Sequence, residues 1–264
     1  VYINQSQYQG KLIFGFSFIK VNILLWDISL LFVNCTFESS YVQASGKYFR
    51  KMQFINSLWR NTHGRGLDII NYGEIYFKSC SFKNITAAPN GKFIVLANIF
   101  KVVINHCLLK QLSEHILMVR SSHLFQMQQT KVVNSIRNIH RFMKTPIFRI
   151  KDVNKVSIQM TQFSNILTPG ISLQQNKFAS FYNCSFIRCM CPLSFRTDSE
   201  YGKYLIINVT LINAMFLQCY CPGDGGGASY ALFHHRKSLL LVGQIQAYII
   251  LHNIVCETFK HQNF

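Results

Sequence analysis

The amino-acid sequence predicts an all-β fold, a parallel β-helix of roughly nine to ten rungs in which residues 1–264 form a single domain. Three observations carry this expectation. A short motif with a small residue and an aromatic in fixed columns recurs along the chain. Within each copy the apolar residues step by two, as a half-buried strand requires. Helical repeats of similar length would instead show apolar residues at three-and-four spacing beside Ala-, Glu- and Lys-rich faces. This chain holds only 10 Asp and Glu but 23 Phe, so that pattern is absent.

The clear copies, in chain order, are FVNCTFESS from 32, FKSCSFKNI from 77, INHCLLKQL from 104 and FYNCSFIRC from 181. Looser copies are IQMTQFSNI from 158 and LINAMFLQC from 211. Cys35, Cys80, Cys107 and Cys184 share a column that Thr161 and Ala214 fill in the looser copies. Two residues later stand Phe37, Phe82, Leu109, Phe163, Phe186 and Phe216. Three residues before the column stand Phe32, Phe77, Ile104, Ile158, Phe181 and Leu211. A step of three between inward positions requires a turn, and the residue before the column is Asn34, Asn183 or Asn213, with Ser79 and His106 elsewhere. Asparagine tolerates left-handed backbone better than other non-glycine residues, which suits a sharp bend. Each repeat is thus two short strands around a corner, a variable loop and a third strand. Successive column positions lie 27 residues apart from 80 to 107, 23 from 161 to 184 and 30 from 184 to 214. The gaps of 45 and 54 residues, from 35 to 80 and from 107 to 161, each suit two turns. RKMQFINS around Phe54 and VVNSIRNI around Asn134 supply the intervening rungs.

Two later stretches, FIRCMCPL (186–193) and FLQCYCPG (216–223), repeat F-x-x-C-x-C-P. Stacking Phe186 on Phe216 sets Cys189 beside Cys219 and Cys191 beside Cys221. Adjacent strands about 4.8 Å apart fall inside the Cα window of roughly 4.4–6.8 Å for a disulfide. Disulfides are the expectation; a closed four-thiolate zinc site is the alternative, although C-x-C is less typical of zinc than C-x-x-C. Unpaired thiols remain open as well. Cys35, Cys80 and Cys107 read as small buried core residues, and nine cysteines leave at least one thiol unpaired.

The formal net charge is +17, and a surface that basic attracts polyanions. Lys47, Arg50, Lys51, Arg60 and Arg65 make one candidate anion-binding stripe. His234, His235, Arg236 and Lys237 make another. Acidic glycans are the expected ligands, whereas nucleic acid is not, because no aromatic-basic reader motif is present. The termini, VYINQSQ and CETFKHQNF, read as further rungs, so self-association through open β-helix ends is expected. The apolar runs 21–33 and 238–256 are interrupted by Asn, Asp, Gln and His, and no transmembrane segment is predicted. N-x-S/T sequons fall at Asn4, Asn34, Asn84, Asn183 and Asn208. Asn34 and Asn183 sit at the predicted corner, which leaves Asn84, Asn208 and Asn4 as the glycosylation candidates. The chain starts at Val with no signal region and reads as a mature product or a segment of something longer.

Catalysis is not expected. The carboxylates are scattered, with only Asp198 and Glu200 as near neighbours, whereas acid–base hydrolysis needs two placed together. GDGGG (223–227) lacks the Lys-Ser/Thr of a phosphate-binding loop, and no cofactor is expected.

The N-C-x-F and F-x-N pieces resemble the right-handed parallel β-helix of pectin-lyase-like proteins. GDGGGASY (223–230), following FLQCY, is similar to the F-x-x-N and G-G-A-I repeats of polymorphic outer-membrane-type surface proteins. Coils this rich in Phe, Asn and Ile and this poor in acid also resemble large surface proteins of protists, ciliates included. These resemblances imply a right-handed coil, an extracellular or cell-surface location, and a scaffold, filament or adhesin role. The carboxylate motifs of the polysaccharide-degrading members are missing here.

Overall fold

The computed structural model describes residues 2–4, 11–87, 92–113, 116–135, 146–196, 207–219 and 247–258. Among them every element is a strand, and every pairing between strands is parallel.

One turn shows how the sequence builds the coil. Leu67–Ile70, Glu74–Lys78 and Ser81–Thr86 form its three sides. Leu67 and Ile69, Ile75 and Phe77, and Phe82 and Ile85 point inward and are buried. Each inward residue meets its equivalent in the neighbouring turns. Leu67 pairs with Val42 and Ile94, Ile75 with Met52 and Val102, and Phe82 with Trp59 and Leu109. Repetition gives three parallel faces, named here first, second and third in the order the chain visits them. The third face is a ten-stranded sheet from Ser17–Ile19 to Val255–Thr258. Leu117–Gln128 and Phe148–Gln159 run unbroken from the first face into the second.

About seven turns lie from 22–38 to 171–189 with a strand on all three sides, and the turns 2–19 and 193–219 also carry a strand on each. Strands before and after them continue the same pairings. The expected nine to ten rungs compare with ten strands on the third face.

The corners are columns of left-handed residues. Between the second and third faces φ is positive at Asn34, Asn56, Ser79, His106, Gln129, Met160, Asn183, Asn213 and Asn253. Between the first and second faces the same role falls to Asp27, Asn71, Asn98, Ser121, Asp152 and Gln175. A third column, Ser39, Asn61, Asn84, Gln111, Asn134, Asn165, Arg188 and Gln218, bends the third-face strand itself. Side-chain amides tie these columns together. Asn253 Nδ2 donates to Asn213 Oδ1 at 3.1 Å, and Asn213 Nδ2 to Asn183 Oδ1 at 3.0 Å.

Inside, flat aromatic rings stack along the axis. Phe37, Trp59 and Phe82 stack at 4.6 and 4.8 Å, with Phe32, Phe54 and Phe77 stacked beside them at 4.9 and 5.2 Å. The two piles meet edge-to-face, Phe54 against Trp59 at 5.0 Å, the geometry that ring quadrupoles favour. Gly73 is required where the 46–50 loop folds back: a Cβ there would lie 2.0 Å from the Tyr48 carbonyl oxygen.

The predicted cysteine column is present and has a chemical logic. Cys35, Ser57, Cys80, Cys107, Thr130, Thr161, Cys184 and Ala214 occupy it, all buried. Each sits just after a left-handed corner, where carbonyls near the bend need donors. Cys80 Sγ donates to Phe54 O at 3.2 Å, Ser57 Oγ to Ile55 O at 3.0 Å and Thr161 Oγ1 to Gln159 O at 2.8 Å. A small residue with an S–H or O–H therefore fits best.

Candidate functional site

The predicted stripe of Lys47, Arg50, Lys51, Arg60 and Arg65 is not a stripe. The turn that carries these residues wraps the coil, so they form a belt around it. Arg50 and Lys47 stand at the first corner, Lys51 on the second face, Arg60 on the third and Arg65 where the third face gives way to the first. Most are also matched by acids. Arg50 grips Asp27 through Nε to Oδ1 at 2.9 Å and Nη2 to Oδ2 at 3.1 Å, while Lys47 Nζ lies 3.5 Å from the same carboxylate. The Arg50 hydrogen bond holds the Asp27 carboxyl below the usual aspartate range. Lys51 pairs with Glu74 at 3.3 Å and lies over the Tyr76 ring, and Arg60 pairs with Glu38 at 2.8 Å. Arg65 lies beside the Tyr41 hydroxyl, which donates to Asp68 Oδ2 at 3.5 Å.

The register brings together cations that sequence distance hides. On the outer surface of the third face, Glu38, Arg60, Lys83 and Lys110 stand directly opposite one another in four successive rungs. Lys131 follows one column over, opposite Leu108. Lys83, Lys110 and Lys131 are exposed and have no acid within ion-pair distance among the described residues. Strands lie about 4.8 Å apart, and like charges directly opposite destabilise a sheet. The column is therefore electrostatically unfavourable by itself and would be relieved by an anion lying along it. Beside it runs an amide ladder in which Asn84 Nδ2 donates to Asn61 Oδ1 at 3.0 Å, adding hydrogen-bonding groups to the same strip. The signal that could have exposed this column is its constant offset, one residue after Phe82 and Leu109.

The cysteines divide. Phe186 and Phe216 do stack, at 4.8 Å and in register, which sets Cys189 and Cys219 in neighbouring rungs. Both are nevertheless free, buried thiols, so the disulfide expected between them is not present. Each points along the coil toward the backbone of the preceding rung: Cys189 Sγ donates to Phe163 O at 3.5 Å and Cys219 Sγ to Phe186 O at 3.2 Å. The neighbouring Cys219 thiol, together with burial, pushes the Cys189 thiol up. Burial pushes Cys184 up to about 11. Cys191 is disulfide-bonded, and the side chain of its partner is outside those described. Cys221, His234, His235, Arg236 and Lys237 also lie outside the described residues. Among the described residues, no three His, Cys, Asp or Glu side chains are grouped to hold a metal ion.

Of the sequons, Asn84 sits at the third corner with its amide nitrogen committed to Asn61. Its setting is thus the one expected for Asn34 and Asn183. Asn208 stands half-buried between Phe178 and Tyr248 in the second face, and Asn4 pairs with Trp26 in the first. Among the described residues no helix is long and apolar enough to cross a membrane.

Fold and surface together define a parallel β-helix with a cation column on one face. No family model and no curated protein matches the chain, and what the structure shows is the parallel β-helix itself.

Proposed function

We propose that the protein is an extracellular or cell-surface scaffold, a β-helical rod that holds an acidic polysaccharide along its third face in the manner of an adhesin. The observation that carries this reading is the in-register column Arg60, Lys83, Lys110. A flat sheet offering cations at the rung repeat of about 4.8 Å suits a linear polymer with regularly spaced negative groups. The Cys191 disulfide and the sequons support placement in an oxidising compartment.

Binding of polygalacturonate, measured by isothermal titration calorimetry at ionic strengths of about 0.01 M and about 0.15 M, tests the reading. Affinity is expected to fall at the higher salt, and the Lys83→Glu/Lys110→Glu double variant is expected to bind at least tenfold more weakly, about 1.4 kcal/mol. Both lysines are exposed, so the variant should keep its far-ultraviolet circular dichroism. Absence of binding at both ionic strengths would remove the polysaccharide reading and leave a scaffold.

A second reading, self-association, is favoured by exposed apolar side chains in the earliest described rungs. Leu12 and Phe14 are 64% and 60% exposed, with Phe16 and Ile19 nearby. Their strands, Lys11–Phe14 and Ser17–Ile19, have an unpaired outer edge among the described residues. Exposed strand edges invite further pairing. Negative-stain electron microscopy at low and high salt separates filaments from isolated rods.

A further inference from the structure

On the outer surface of the first face, the register sets Arg149 between Met118 and Ser172. All three point away from the core, yet Met118 is only 8% and Ser172 only 3% exposed, and Gln174 is buried too. The face is therefore recessed here, unlike its earlier rungs, where Leu24 and Gln43 are exposed. Arg149 is partly buried in this recess, and its Nε is fully buried without a hydrogen-bond partner among the described residues. A buried guanidinium N–H left unpaired carries a substantial desolvation cost. Two further cations converge on it. Arg120 lies one rung away, in the strand that also carries Met118. Lys92, two residues before Ile94 of the adjoining strand, is half-buried. Burial, and then the proximity of Arg149 and Arg120, hold the Lys92 ammonium below its usual range. None of the three has an acid within ion-pair distance among the described residues, in contrast to Arg50, Lys51 and Arg60.

We propose that Lys92, Arg120 and Arg149 form a recessed receptor for a single oxyanion group, a sulfate or phosphate ester or the free anion. The Arg149 guanidinium presents its fork of N–H donors, which matches two oxygens of such a group. Arg120 and Lys92 add charge from two sides. The site is separate from the third-face column and goes beyond the polysaccharide reading: the column would track a polymer, whereas the recess would select one charged group.

The test compares thermal midpoints of the full chain in sodium sulfate, in a sulfated monosaccharide and in sodium chloride of equal ionic strength. Sulfate or the sulfated sugar is expected to raise the midpoint over chloride in a saturable manner. Arg149→Met should lose that rise, and Arg149→Lys should require about tenfold more ligand because the fork is gone. Arg120→Gln, at an exposed position, gives the same reading should Arg149→Met fail to fold. Lys78→Met, on the second face, should respond like the parent. A response to both ligands supports an oxyanion receptor in general, and a response to the sugar alone supports a glycan source. If neither ligand acts, or if Arg120→Gln and Arg149→Lys respond like the parent, the proposal is overturned. A carboxylate of the chain itself occupying the recess would produce the first of those outcomes.

Discussion

Met160 is the corner residue least suited to its place. Its φ is 47°, in a column otherwise filled largely by asparagine, and its side chain is 42% exposed. Left-handed backbone costs an ordinary residue roughly 1–2 kcal/mol, less for asparagine. Met160→Asn should therefore stabilise the protein by about 1 kcal/mol, read as a higher urea midpoint at unchanged slope. The new amide would also lie next to Asn183, the last acceptor of the Asn253–Asn213–Asn183 ladder. Asp27 illustrates a different residue-scale effect. Its pKa lies below the ordinary 3.8, chiefly through the Arg50 hydrogen bond. The pair therefore contributes stability that is fully present above about pH 4 and is lost as pH falls through the lowered value. Asp27→Asn should flatten that acid limb in a pH series of unfolding midpoints, with little sensitivity left below pH 4 from this site.

At the scale of elements, stacking matters more than any single strand. Each third-face strand is only three to six residues long, and two isolated strands would be marginal in water. Stability comes from neighbours: Phe54 touches Phe32 and Phe77 in its own pile and Phe37 and Trp59 in the other. Phe54→Ala should cost about 3–5 kcal/mol, because the stacked rings above and below cannot close the gap. Trp59 is informative in the opposite sense. Its indole Nε1 is buried with no partner among the described residues, so Trp59→Phe loses volume but also removes an unpaired donor. Its cost should stay well below that of Phe54→Ala in the same unfolding experiment.

Over the whole molecule, each turn contacts the turns beside it, so stability is approximately a sum of intrinsic and nearest-neighbour terms. The same one-dimensional order makes surface chemistry periodic. An outward residue type repeated at a fixed offset becomes a column parallel to the axis, as Arg60, Lys83 and Lys110 do. With a formal charge of +17 and only ten acids, few of these columns can be neutralised internally. Polyanion binding should accordingly stabilise the rod at low salt and lose that effect as salt rises, which differential scanning calorimetry with and without polygalacturonate measures.

How much of this was legible beforehand can be judged from particular residues. The step of three from Phe77 to Cys80 revealed the corner at Ser79, since only a bend keeps both side chains inward. The identical step from Phe82 to Ile85 marks a further corner at Asn84, one that the Cys-column motif does not announce. The column shared by Cys35, Cys80, Cys107 and Cys184 was readable because periodicity alone defines it. Whether the thiols of Cys189 and Cys219 join was not, because that depends on where each side chain points, and both turn toward carbonyls of the preceding rung. Charge partnership was likewise hidden: Asp27 and Arg50 are 23 residues apart, and only the coil puts them in contact. The sequence by itself determined the period, the corners it marks and the parallel stack, since these follow from local steric preference and from which residues must be buried. The tertiary structure alone decided which cations are neutralised, which thiols remain free and that Arg149 is recessed beside Lys92 and Arg120, because those facts depend on register between rungs rather than on neighbours along the chain.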